Sequence, residues 1–201
     1  VVNTFTIKGI SDTESSDGIT IVEKFEEDDA KITLPGRPVK KEVNIRNLAS
    51  YKQYVRVHFN KVWKVEKDNI PADTPEENRY REVTHYKVSG NNVYYEHSDN
   101  IAENDRINWK ALNSDLIQLN YSEEALRENG DWILEKEGDV IKNGWHYYKN
   151  ELAEKCNNKE DAACRTSNII DKVTLSTDAS VIYMGLKFDV IVVAQSITAE
   201  G

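Results

Sequence analysis

The chain has 201 residues, 26 of them Lys or Arg and 35 Asp or Glu, for a net charge of −9 with histidine neutral. That length suits one domain with room for a real core. The acid excess argues against nucleic-acid backbones and anionic lipid as partners, because both need a clustered basic face. No apolar run approaches the roughly 20 residues that a membrane-crossing helix needs.

In chain order, residues 1–10 form an extended segment with Phe5 and Ile7 on one face, and a Ser/Asp/Glu-rich loop follows at 11–17. Leu34-Pro35-Gly36 forces a turn, since Pro presets φ and Gly tolerates positive φ. It feeds a strand in which Val39, Lys41, Val43 and Ile45 share one face. A second strand, 54–63, puts Val55, Val57, Phe59 and Trp63 on one side. Period two over such lengths is the pattern of half-buried strands. Residues 66–78 hold Pro71 and Pro75 and read as a loop. Strands at 83–88 and 93–97 flank Ser89-Gly90-Asn91-Asn92 and predict a hairpin.

A short helix is predicted after Ser122, which can cap it, with Glu123 and Glu124 in its first turn and Gly130 to end it. Segments 132–135 and 145–149 predict another strand pair, with turns at Gly138 and Asn143-Gly144. Residues 149–155 are expected to form a further turn of helix. The last strand, 186–194, aligns Leu186, Phe188, Val190, Val192 and Ala194, and apolar residues on its other face suggest burial on both sides. Short strands punctuated by turns predict an all-β fold, a jelly-roll-like β-sandwich with a few short helices in the connections. The expected organisation is an N-terminal extended segment (1–10) and one sandwich domain (11–201), with insertions around 66–80 and 120–165.

Enzyme signatures are missing. The sequence has no HExxH, GxSxG, GxxxxGK[ST] or GxGxxG. His58, His85, His97 and His146 show no i, i+4 pairing, and they read as surface histidines on solvent-facing strand positions rather than metal ligands. The run Glu26-Glu27-Asp28-Asp29 reads as a solvated stretch. Tyr94, Tyr95, Trp109, Trp145, Tyr147 and Tyr148 are able to stack on sugar rings, but at strand spacing such aromatics more often pack. Cys156 and Cys164 close a polar loop too wide for a CxxC site, which predicts a local disulfide. No catalytic residue, metal or cofactor is expected.

Several blocks in order carry a resemblance. They are Asn3-Thr4-Phe5-Thr6-Ile7-Lys8-Gly9, then residues 34–47 from Leu34-Pro35-Gly36 to Asn47, and then Tyr54-Val55-Arg56-Val57. Trp132-Ile133, Gly144-Trp145-His146-Tyr147-Tyr148-Lys149, Asp171-Lys172-Val173-Thr174-Leu175 and the closing stretch 190–201 follow. Together they resemble the biofilm matrix proteins exported with SipW-type signal peptides, the TasA/camelysin-like group and above all its BsaA branch. The resemblance implies a secreted, non-catalytic subunit that polymerises head to tail into extracellular matrix or pilus-like fibres, with itself and a minor related subunit as partners. A start at Val1 fits removal of such a signal peptide. The implied device is donor-strand complementation through Val1, Val2, Asn3, Thr4, Phe5, Thr6, Ile7 and Lys8. Two alternatives stand beside it: a camelysin-like cell-surface metallopeptidase, and a carbohydrate-binding or adhesive module using Tyr94, Tyr95 and Trp145.

Overall fold

The computed structural model describes residues 3–9, 18–25, 34–155 and 162–199. Val1, Val2, Cys156, the 11–17 loop and the acidic run 26–29 lie outside them. The described chain is all-β with short helices in its connections. The strands are β1 (Asn3–Gly9), β2 (Ile19–Phe25), β3 (Pro38–Asn47), β4 (Gln53–Glu66), β5 (Tyr80–Val83), β6 (His85–Ser89), β7 (Asn92–Glu96), β8 (Lys110–Ala111), β9 (Ile117–Tyr121), β10 (Trp132–Ile133), β11 (Lys136–Glu137), β12 (Val140–Ile141), β13 (His146–Tyr148), β14 (Ile170–Leu175) and β15 (Lys187–Thr198).

Two sheets carry the core. The first runs β1-β15-β4-β13-β10, with β5 also paired to β4. The second runs β2-β3-β14-β9. The long antiparallel ladder between β4 and β15, from Gln53 opposite Thr198 to Lys64 opposite Lys187, is the spine of the first sheet. It follows from the alternation in both strands: Val55, Val57, Phe59 and Trp63 from β4 meet Phe188, Val190, Val192 and Ala194 from β15 on one buried face. The second sheet answers with Val43 and Ile45 of β3 and Ile170, Val173 and Leu175 of β14, which join the same core. Trp63 sits deep in it, its ring 4.9 Å from Tyr183 and 5.8 Å from Phe188 between centroids.

The Leu34-Pro35-Gly36 turn enters β3 with Gly36 at φ +80°. Gly36 N donates to Leu175 O, and a Cβ there would meet Thr177 Cγ2 at 2.8 Å, so conformation and space both require glycine. β6 and β7 form the predicted hairpin around Gly90 at φ +61°, and β8 extends it into a small third sheet. β10 and β13 pair as expected, Trp132 opposite Tyr148. The helix α1 (Glu123–Leu126) is capped by Ser122, whose Oγ accepts from Ala125 N at 2.9 Å.

Residues 149–155 are not helical. Leu152, buried to 1 %, forms a bridge with Gln53: Leu152 N donates to Gln53 O at 2.7 Å and Gln53 N donates back to Leu152 O at 3.2 Å. Burying one leucine against the start of β4 outweighs a single turn of helix, which has little intrinsic stability.

Candidate functional site

The first strand holds an unusual seat. β1 pairs in parallel with β15, from Asn3 opposite Phe188 to Gly9 opposite Ala194, so the two ends of the chain lie side by side. Parallel neighbours cannot be joined by a tight hairpin. β1 therefore reaches its place from far along the sequence, and among the described residues it occupies the edge of its sheet beside β15. The position of Phe5 is in register with Val190 and that of Ile7 with Val192, both buried residues of β15. Without a strand in this seat, the free side of β15 between Phe188 and Ala194 would present unpaired backbone groups beside a fully buried apolar row. Of the predicted donor residues, Asn3, Thr4, Phe5, Thr6, Ile7 and Lys8 thus fall within β1, paired inside their own chain. Cys164 is disulfide-bonded, and Cys156 is the only other cysteine in the sequence.

The histidines do not converge. His146 is not a surface histidine: it is only 1 % exposed, because the alternation of β13 turns it into the interior with Tyr148. Its Nδ1 accepts from Glu135 N at 3.0 Å, which leaves the proton on Nε2, 3.2 Å from the Tyr121 hydroxyl. Burial, with the nearby His58 adding to it, holds its pKa down at about 4. His58 instead lies against the Trp145 ring, centroids 5.5 Å apart. His97 caps a 3-10 helix by accepting from Asp99 N, and His85 Nδ1 meets Thr84 Oγ1 at 2.7 Å. Among the described residues no group of His, Cys, Asp and Glu is placed to hold a metal ion.

The aromatic residues separate as well. Tyr94 and Tyr95 stand on β7 in the small third sheet, and the Tyr95 hydroxyl donates to Ile182 O. Trp145 stands just before β13 in the first sheet, covered by Arg56, whose Cζ is 4.0 Å from the ring centroid. Arg56 Nε donates to Gln195 Oε1 at 2.9 Å, so Trp145 packs within a polar brace and does not share a platform with the tyrosines. Around that brace the first sheet leaves Tyr54, Tyr147 and Ile197 exposed, lining a shallow groove.

Sequence reasoning missed the buried charges. Lys41 is fully buried in contact with Glu23, and Asp189 is fully buried in contact with Lys64. A signal was present, because Lys41 falls on the apolar face of its strand with Val39, Val43 and Ile45. No helix of the described chain is long and apolar enough to cross a membrane. Compared with known proteins, the chain matches no protein-family model, no curated protein and no solved structure.

Proposed function

We propose that this protein is a secreted structural subunit that polymerises into extracellular fibres by exchanging its first strand. The observation that carries the reading is the parallel seat of β1 on β15. That seat is filled by the chain's own N-terminal segment, and residues 10–18 separate it from β2 in the sequence. In a fibre, the strand 3–9 of one subunit takes the same seat on the next. Main-chain hydrogen bonds supply affinity, and the register opposite Val190 and Val192 supplies specificity. Each subunit then donates one strand and accepts one, a head-to-tail contact that does not close and so propagates as a filament. The order of sequence blocks that resembles TasA-like matrix proteins supports the same role and carries with it export and a place in the extracellular matrix.

The test compares the intact protein with a variant lacking residues 1–8, by size-exclusion chromatography and electron microscopy. Intact protein should form filaments. The truncated variant should stay monomeric, and a synthetic peptide of residues 1–10 should bind it and restore its folded circular dichroism. Equal behaviour of the two proteins, both monomeric or both filamentous, overturns the reading.

A further inference from the structure

The inner face of β3 carries one cation in an apolar row. Val39, Lys41, Val43 and Ile45 alternate along it, and each is fully buried. On the neighbouring β2, Glu23 stands directly opposite Val43, so Glu23 and Lys41 are diagonal neighbours on the same face. The Glu23 side chain is 3 % exposed and the Lys41 side chain 0 %, and Lys41 Nζ contacts Glu23 Oε1. Ile21, Val43 and Ile45 belong to the apolar cluster around them. The other buried carboxylate whose charge reaches Lys41, Asp189, alternates to the opposite face from Phe188 and Val190 and is in contact with Lys64 Nζ. Among the described carboxyls, Glu23 is the one in contact with Lys41 Nζ.

Keeping both charges there is costly, because desolvation of a buried ion pair rivals its Coulomb attraction. Burial moves Lys41 toward its neutral amine, with a pKa of about 8 despite the opposing pull of Glu23. A neutral amine held against a carboxyl away from bulk water is the reactant pair of amide formation. Fixed proximity of this kind is worth effective concentrations on the order of 10⁵ M or more.

We propose that Lys41 and Glu23 condense into an intramolecular isopeptide bond. Nζ of Lys41 attacks Cδ of Glu23, the N–Cδ bond forms and a Cδ–O bond breaks. The protons shed by nitrogen leave with the departing oxygen as one water molecule. The ammonium–carboxylate pair holds the same atoms and electrons as amide plus water, so the step needs no oxidant, nucleotide or second protein. The bond fastens β2, the edge strand of the second sheet, to β3 in the middle of their ladder. One consequence rests on the fibre reading: tension on an exchanged first strand enters the domain through β2, and a covalent tie at Glu23 stops that edge strand from peeling away. The bond itself forms whether or not fibres do.

Intact mass spectrometry of the purified full chain, fully reduced, alkylated and denatured, tests the bond independently of assembly. The expected mass is one water below that of the alkylated sequence. Proteolysis should release a branched peptide joining the segments that contain Glu23 and Lys41. Lys41→Arg, which keeps the charge but cannot condense, should show the full mass. A wild-type chain at full mass with separate linear peptides overturns the proposal. So does a one-water deficit that persists in Lys41→Arg.

Discussion

The Tyr121 hydroxyl lies 3.2 Å from His146 Nε2, with the rings edge to face at 5.5 Å between centroids. This contact joins the second sheet, through β9, to β13 of the first. Because His146 Nδ1 is committed to Glu135 N–H, the bridge depends on a neutral ring that presents its proton to Tyr121.

That neutrality makes stability depend on pH. Burial first, and the charge of His58 second, lower the His146 pKa from 6.5 to about 4. A histidine depressed in the fold contributes stability that is fully present above its unfolded pKa and is lost as pH falls toward the folded one. The expected loss is about 2 kcal/mol by about pH 5 and about 3 kcal/mol by about pH 4. Urea midpoints measured across this range should fall for the wild type. The slope should flatten in His146→Gln, which keeps an acceptor for Glu135 N but does not titrate. An unchanged slope in the variant would place the acid sensitivity elsewhere.

Trp63 is a large aromatic of the core, 2 % exposed, packed on Tyr183 and Phe188 and donating from Nε1 to Asn113 O at 3.2 Å. Trp63→Ala opens a cavity between the two sheets and removes one of the two hydrogen bonds that Asn113 O accepts. The expected cost is about 3–5 kcal/mol. Trp63→Phe should cost less than half of that, and denaturant unfolding of the two variants checks the order.

Much of the architecture was legible because it is local. The alternation of β3, β4 and β15, the Gly90 turn and the Ser122 cap each depend on residues near one another in sequence. What hid was non-local. β2 reads poorly as a strand because Glu23 interrupts the apolar side begun by Ile19 and Ile21, and its reason, Lys41, lies on the next strand. The 149–155 segment looks able to coil until its partner Gln53 is known. The first strand reads as extended from its own residues, but its parallel register on β15 joins opposite ends of the chain, and no short-range pattern encodes that.

The disulfide should matter locally. Cys164 is 1 % exposed at the end of a short 3-10 helix, and the loop it closes with Cys156 is short. Loop entropy for a ring of this size stabilises the fold by roughly 2–3 kcal/mol. Reduction, or a Cys156→Ser, Cys164→Ala double variant, should lower the denaturant midpoint accordingly. The far-ultraviolet circular dichroism should stay unchanged, because both main sheets hydrogen-bond without the loop. A loss of strand signal on reduction would contradict this.

Asn47 ends β3 fully buried, and its amide is shared among three chain segments. Nδ2 donates to Tyr51 O at 2.8 Å and to Ala153 O at 2.9 Å, while Oδ1 accepts from Ala49 N at 2.9 Å and from Gln53 Nε2 at 2.7 Å. The group thus shapes the turn between the two sheets and pins the 152–153 segment against it. Asn47→Ala leaves several buried polar groups unpaired, at about 1–3 kcal/mol each, so a total loss on the order of 3 kcal/mol or more is expected. Asn47→Asp is the sharper probe. It keeps the shape and the acceptor, but it turns the donor into a carboxylate oxygen facing two carbonyls. That change adds repulsion and a buried charge, so Asn47→Asp should be less stable than Asn47→Ala at neutral pH. Acidification should recover part of the difference, because a protonated carboxyl again offers a donor. If Asn47→Asp proves as stable as the wild type, Asn47 is a passive filler and the turn is held by its backbone alone.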